Sequence, residues 1–354
     1  MKIGIYDPYL DTLGGGERYM LTIASCLSKN NDVSILWNSS DVLEKAISRF
    51  NLDLKNVRLS ENIFSSKISL PQRLLKSREY DLIIFLSDGS IPIVLSSLII
   101  HFQFPAEWIK LNVLTKFKLL RVGKIICNSK FTKSYIDKKL RVDSRVLYPP
   151  IGEIETSLVK KENLILTVGR LGLLETGATF KKQELLIEAF KKMCDLGLKD
   201  TRFVVAVSYK EKDQKALEKI KNLTEDYPIE IVENISFAAI KGLYEKAKIY
   251  WHAAGFGEDL NTSPERAEHF GISTVEAMLA GAVPIVFGGG GQLEIVQSGQ
   301  NGFIWHNQED LIAQTNKMLL EQEEWEKISK EAKERSKDFT GDRFCKEINE
   351  IIKK

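Results

Sequence analysis

The chain has 354 residues, 44% of them hydrophobic and 28% charged, values that suit two folded domains and exclude wholesale disorder. The longest apolar run, Ile91 to Ile100, is broken by Pro92, Ser96 and Ser97 and falls short of the roughly 18 residues a membrane-spanning helix needs. A net charge of +2 conceals an asymmetry: residues 1–160 hold 23 basic and 16 acidic side chains, and the remainder 27 and 32.

Met1-Lys2-Ile3-Gly4-Ile5-Tyr6 reads directly as a strand with no charged leader, so a cytoplasmic location is expected. Cys26, Cys127, Cys194 and Cys345 form neither a zinc pattern nor a disulfide framework, and reduced thiols are expected. Lys2–Tyr6, Asp32–Trp37, Leu82–Leu86, Leu98–Phe102 and Lys124–Cys127 read as buried strands. Glu17 to Lys29 carries apolar residues at helical spacing between the first two. Repeated βαβ units imply a parallel sheet covered on both faces. Tyr148-Pro149-Pro150 interrupts the pattern and starts a linker.

A second series places strands at Leu164–Val168, Phe203–Val207, Glu230–Val232, Ile249–His252, Val283–Phe287 and Gly302–Trp305. Helices are expected at Lys182–Leu196, Asp213–Leu223, Ile240–Ala247 and Thr274–Ala280, with a charged helical stretch from Glu309 to the end. The predicted division is a first α/β domain over 1–150, a linker over 151–162, a second α/β domain over 163–340 and a C-terminal helix over 341–354 packing back on the first. Ligands of such sheets bind beyond the carboxyl ends of the strands, here expected in a cleft between the domains.

Gly14-Gly15-Gly16-Glu17 follows the first strand and opens a helix. Backbone amides at Gly15 and Gly16 can approach an anion at a helix start, although a tight turn explains the glycines equally simply. Tyr19 occupies the third glycine's place of a dinucleotide fingerprint, which disfavours an oxidoreductase. The strongest signal is Glu268-His269-Phe270-Gly271-Ile272-Ser273-Thr274-Val275-Glu276-Ala277-Met278, followed by Leu279-Ala280-Gly281-Ala282-Val283-Pro284. The amides from Ile272 to Thr274 open a helix and suit a phosphate. Glu268 and Glu276 cannot both bind that phosphate, because like charges repel, so they are better explained as acceptors for sugar hydroxyls on either side of it.

This pattern closely resembles the donor-site motif of family 4 of the retaining glycosyltransferases. Further matches are Gly14-Gly15-Gly16-Glu17-Arg18, His101, Cys127-Asn128-Ser129-Lys130-Phe131-Thr132, Tyr148-Pro149-Pro150 and Val168-Gly169-Arg170-Leu171. The resemblance implies a GT-B fold, α/β with two Rossmann-like parallel-sheet domains facing a central cleft. It implies that Glu276 binds the donor ribose and Glu268 a hydroxyl of the transferred sugar, with Phe270, Gly271, Ile272, Ser273 and Thr274 around the distal phosphate. Arg170 and Lys181 would bind the diphosphate, with Lys182, standing where the family has glycine, as a substitute for Lys181. His101 would sit beside the reacting sugar.

The implied activity is retaining transfer of a hexosyl group, mannosyl-type favoured, from a nucleoside-diphosphate sugar to a lipid-linked or surface-glycan acceptor. No cofactor is implied, no metal, and no nucleic-acid partner; no Asp-x-Asp occurs. A non-catalytic sugar-nucleotide or glycan-binding module and a sugar-nucleotide epimerase are the alternatives. Asp88-Gly89-Ser90, His252, His269 and His306 also fall near strand ends or the motif. Gly288–Gly291 follows a strand and is explained as well by a flexible turn as by a donor loop. Lys110 to Lys124 mixes bulky apolar residues with five cations. The simpler expectation for it is a helix packed on its own sheet, and the alternative is contact with an anionic membrane at the inner face of the cell membrane.

Overall fold

The computed structural model describes residues 1–152, 159–175 and 177–353. Two compact units emerge: Met1–Pro150 with Gly341–Lys354, and Ile151–Thr340. Residues 153–158 of the expected linker lie outside the described residues.

In the first unit, β1 (Lys2–Tyr6), β2 (Asp32–Leu36), β3 (Val57–Ser60), β4 (Leu82–Leu86), β5 (Ser97–Phe102), β6 (Lys124–Cys127) and β7 (Arg145–Val146) form one sheet in the order β3-β2-β1-β4-β5-β6-β7. Every pairing is parallel. The crossovers carry α1 (Gly15–Ser28), α2 (Asp41–Phe50), α3 (Leu70–Ser77), α4 (Val113–Leu119) and α5 (Lys130–Leu140). Strand β4 is buried throughout, as a strand with helices on both faces must be. The edge strands β3 and β7 escaped the pattern reading because they are short and only half buried.

The second unit has β8 (Glu162–Arg170), β9 (Arg202–Ser208), β10 (Ile229–Glu233), β11 (Ala247–His252), β12 (Val283–Phe287) and β13 (Phe303–Trp305), again parallel, in the order β10-β9-β8-β11-β12-β13. Its helices are α6 (Gln183–Asp195), α7 (Gln214–Asn222), α8 (Phe237–Lys246), α9 (Ile272–Leu279), α10 (Gln292–Ile295), α11 (Gln308–Leu320) and α12 (Gln322–Ser336). One side of the sheet buries Phe190, Phe203, Trp251 and Trp305 in a continuous core. Trp251 and Trp305 are fully buried, and each finds an acceptor for its indole N–H: Thr315 Oγ1 at 2.9 Å and the His252 carbonyl at 3.2 Å.

The final helix, α13 (Gly341–Lys353), belongs to the first unit. Phe344, Ile348 and Ile351 recur at helical spacing and enter the core beneath α1. Cys345 of α13 is disulfide-bonded to Cys26 of α1, with a Cα–Cα distance of 5.1 Å. This corrects the expectation of reduced thiols throughout. Sequence spacing could not reveal a bridge between residues 319 positions apart, whereas Cys127 and Cys194 are free.

Candidate functional site

Ligands of doubly wound sheets bind where the strand order reverses. In the second unit that point lies between β8 and β11, whose last residues are Arg170 and His252. Side chains alternate along β11, so Trp251 enters the tryptophan core while Tyr250 and His252 share the opposite face.

His252 Nε2 lies 2.8 Å from Glu268 Oε2, and the Lys181 ammonium pairs with the same oxygen. Burial alone would raise the Glu268 carboxyl, but Lys181 and His252 outweigh it and hold the group well below the usual carboxylate range. Burial depresses His252 despite the opposing pull of Glu268. The imidazole is therefore neutral and donates Nε2–H to the carboxylate, while Nδ1 has no hydrogen-bond partner among the described residues. The Lys181 stem runs against Gly169, where an added Cβ would come within 3.0 Å of its Cγ. Lys181 thus lies over the end of β8.

The competing lysine is committed elsewhere. Lys182 pairs with Glu258, which also accepts from Arg266 at 2.7 Å. Lys182 has φ +56°, a left-handed conformation that costs a residue with a Cβ roughly 1–2 kcal/mol. That geometry gives a physical reason for the glycine at the corresponding position of the family motif.

Gly271 caps the start of α9 with φ +119°, and a Cβ there would meet Gln292 Nε2 at 2.6 Å. The Thr274 N–H already bonds the Gly271 carbonyl at 3.0 Å, and the Thr274 hydroxyl accepts from Gln292 Nε2 at 2.9 Å. This corrects the expectation of a free Thr274 amide; Ile272 and Ser273 are the amides that precede the first intrahelical bonds. Tyr250 donates its hydroxyl to Ser273 Oγ at 2.7 Å, tying β11 to the helix start. Glu276 is buried on the same helix and accepts from the Tyr244 hydroxyl at 3.3 Å.

Gly288–Gly291 is a built contact. Gly291 donates its N–H to the Glu268 carbonyl at 2.7 Å, and Gly290, at φ +65°, stands so close to that carbonyl that a Cβ would run into it. Of the two accounts left open, a flexible turn does not hold: the loop is a backbone clamp on the Glu268–Phe270 segment. Phe270 is buried edge-on to Phe339, with ring centroids 5.3 Å apart. His269 points its Nε2 at the Glu265 carbonyl at 3.0 Å, and burial pushes it down to about 4. It shapes the loop as a neutral ring.

In the first unit the order reverses between β1 and β4. Glu17 folds back to accept the Gly14 N–H, so the start of α1 already holds a carboxylate of its own. The Gly16 carbonyl accepts from Gln103 Nε2 at 3.0 Å. His101 is fully buried, stacked on Tyr19 with ring centroids 4.3 Å apart, and its Nδ1 lies 3.2 Å from the Ile126 carbonyl. Burial drives it down to about 3, against the weaker pull of that carbonyl. His101, expected beside the reacting sugar, precedes the last residue of β5 and is enclosed against Tyr19 of α1.

Asp7, just beyond β1, accepts the Tyr9 N–H at 2.8 Å through one oxygen, while its other oxygen has no hydrogen-bond partner among the described residues. Burial, reinforced by Glu17, raises this carboxyl to about 7. A folded value above the unfolded one, about 3.9, means the folded state binds the proton more tightly. Its contribution to stability is present at low pH and is lost as pH rises from about 4 to about 7. Asp7→Asn is accordingly expected to melt above the wild type at pH 8 and level with it at pH 4, by thermal denaturation at both. Equal melting shifts at the two values would refute the raised carboxyl.

Sequence reading left Tyr244, Gln292 and Glu258 unnamed, and it noted His252 only as near a strand end. The signal for His252 was available: it closes the strand at the reversal and shares a face with Tyr250. Nothing in the linear pattern pairs it with a glutamate 16 residues on.

The model of the glycosyl transferases group 1 family matches residues 153–335. Curated relatives include the glycogen synthases of Chlorobium phaeobacteroides, 26% identical over 49% of this chain and 34% of its own, and of Pelodictyon phaeoclathratiforme, 24% identical over 56% and 39%. The chain thus spans well under half the length of these relatives. Among solved structures, HepE of Anabaena in complex with UDP has a TM-score of 0.75 at 17% identity, with 100% of both chains covered. A glycosyltransferase of Rickettsia africae has 0.76 at 16%, over 99% of this chain and 97% of its own. Sucrose-phosphate synthase of Thermosynechococcus elongatus has 0.73 at 14%, over 100% and 98%. The shared fold, two Rossmann-like parallel-sheet units, is that of GT-B glycosyltransferases. With its family motif folded at the reversal of the second sheet, the chain belongs to the glycosyl transferases of group 1.

Proposed function

We propose that this enzyme moves a hexosyl group from a nucleoside-diphosphate sugar to a lipid-linked or surface-glycan acceptor, with retention at the anomeric carbon and without a metal. The observation that carries this reading is the convergence of Lys181, Glu268 and His252 at the end of β8. Departure of a nucleoside diphosphate builds negative charge on its distal phosphate, which preorganised cations and helix amides stabilise most in the transition state. Arg170, Lys181 and the Ile272 and Ser273 amides supply those groups. Lys181 is neutralised by Glu268, and a bound phosphate would draw it away, freeing Glu268 to accept a sugar hydroxyl. Glu276 takes the ribose.

The acceptor oxygen forms its bond to the anomeric carbon as the carbon–oxygen bond to the diphosphate breaks, and the acceptor proton passes to the departing phosphate oxygen. No protein base is assigned. His101 acts by holding α1 against the sheet through Tyr19. The acceptor is assigned to the basic first unit. HepE is described with UDP-glucose, which puts uridine-diphosphate sugars first among donors to test, alongside the mannosyl donors the sequence favours.

A thermal-shift screen over nucleoside-diphosphate sugars should raise the melting point with the correct donor, and turnover with that donor should survive EDTA. Recovery only on adding manganese or magnesium would overturn the metal-free step. Donor affinity without hydrolysis or transfer to any acceptor would leave a binding module.

A further inference from the structure

Helix α4 of the first unit meets the expectation of packing on the sheet only through Leu119, which lies half-buried against the core with Leu111 and Val122. None of its residues is buried. Val113 is 85% exposed, Phe117 59% and Leu120 83%, with Leu114 and Trp108 also more than half exposed. At 100° per residue Val113, Phe117 and Leu120 fall on one stripe, flanked by Lys116 on one side and by Leu114 and Arg121 on the other. Large apolar side chains gathered on one surface helix are rare on soluble proteins without a partner.

The surrounding charge indicates which partner fits. From Trp108 to Ile136 there are seven basic residues and no acidic one, although Lys133 is paired with Asp137 and Asp143 and Lys124 is held by the Ile351 carbonyl. Glu107, the nearest acid before this stretch, is occupied by Lys139 at 3.0 Å. The ends of α4 do not require a partner, because Asn112 caps its start by accepting the Thr115 N–H at 2.8 Å. What remains unsatisfied is the outward face, with a hydrophobic ridge at its centre and cations at its rim. A second copy of the chain would bring an equally basic surface against it, a repulsive match. Among the described residues, no helix is long and apolar enough to cross a membrane.

We propose that α4, with Trp108 and Arg121, is a docking face for an anionic phospholipid surface, in which Val113, Phe117 and Leu120 enter the headgroup boundary while Lys110, Lys116 and Arg121 meet lipid phosphates. Apolar insertion and polybasic attraction each bind weakly and reversibly alone, and together give stable peripheral attachment. Screening at high ionic strength removes the second contribution.

The test is co-sedimentation of the full chain with vesicles of phosphatidylglycerol and phosphatidylcholine, with pure phosphatidylcholine as control and no sugar donor present. Strong binding to the anionic vesicles is expected, with a loss of about tenfold or more on the double change Phe117→Ser and Leu120→Ser. A large loss is also expected when salt rises from 0.05 to 0.5 M, on the order of those values used for screening. A blue shift of tryptophan emission on binding should shrink in Trp108→Phe. Circular dichroism of the double variant should match the wild type, because the altered side chains are exposed. Equal binding to neutral vesicles, undiminished binding by the double variant, or a wild-type dimer that the same variant dissolves would each overturn the assignment. Because no transfer reaction is measured, loss of the glycosyltransfer reading would leave this result standing.

Discussion

Glu268→Ala is expected to lower transfer by about 10²–10³-fold while the protein remains folded. The side chain is the acceptor shared by Lys181 and His252, so its removal has two separable effects. It deletes the group assigned to the sugar, and it releases Lys181 to bind phosphate without first breaking an ion pair. Donor affinity should therefore fall less than turnover, or even rise, whereas Lys181→Ala should weaken both. Lys181→Ala also strands a carboxylate that is only 15% exposed, and breaking such a buried pair costs roughly 3–5 kcal/mol. That variant needs its melting point measured beside its kinetics. Because Glu268 is held below its unfolded value, its contribution to stability is present above the unfolded carboxylate range and is lost as pH falls through the folded value. Around neutrality the group stays ionised, so the pH profile of turnover there should not change between the wild type and Glu268→Gln. A folded Glu268→Ala enzyme with wild-type turnover would sink the assignment of the sugar contact.

The second large effect belongs to the Cys26–Cys345 bridge. Reduction, or Cys345→Ser, is expected to destabilise the first unit by about 3–5 kcal/mol and lower its melting temperature on the order of 10 °C. The argument is entropic. The bond closes a loop spanning 319 positions, so it restricts the unfolded chain far more than it alters the native one. Folded structure within the second unit shortens the effective loop, which places the effect below the value for a fully flexible chain. Phe344, Ile348 and Ile351 still bury themselves beneath α1, so α13 should remain docked at moderate temperature after reduction and detach early on heating. Scanning calorimetry with and without a reductant reads the shift, and peptide mapping without reduction reads the linkage. Identical melting of reduced and oxidised protein would show that the bridge contributes nothing.

Both parallel sheets were legible in the linear pattern because their central strands are buried on two faces and therefore appear as short runs of Ile, Val and Leu. Strands such as β4 and β12 follow the expected boundaries for that reason. Edge strands such as β3 are exposed on one side and lose the signal. The family motif was legible for a related reason: Gly271 and its neighbours satisfy local backbone demands, a left-handed cap and a helix start, that are written in consecutive residues. The resemblance to the family motif favoured Lys181 and kept Lys182 as a substitute; that Lys182 is left-handed and turned toward Glu258 is a tertiary fact.

By itself, then, the order of residues determined the two α/β units, the helix mouth at Ile272 and the family. Each of these depends on interactions over a few neighbours or on the regular periods of strand and helix. Only the folded chain decided which charges meet. It brought Lys181, His252 and Glu268 to one point, enclosed His101 against Tyr19, joined Cys26 to Cys345 and left α4 facing outward. Such pairings join residues far apart in the chain, and their energies depend on burial and distance, quantities that exist only once the sheets have formed.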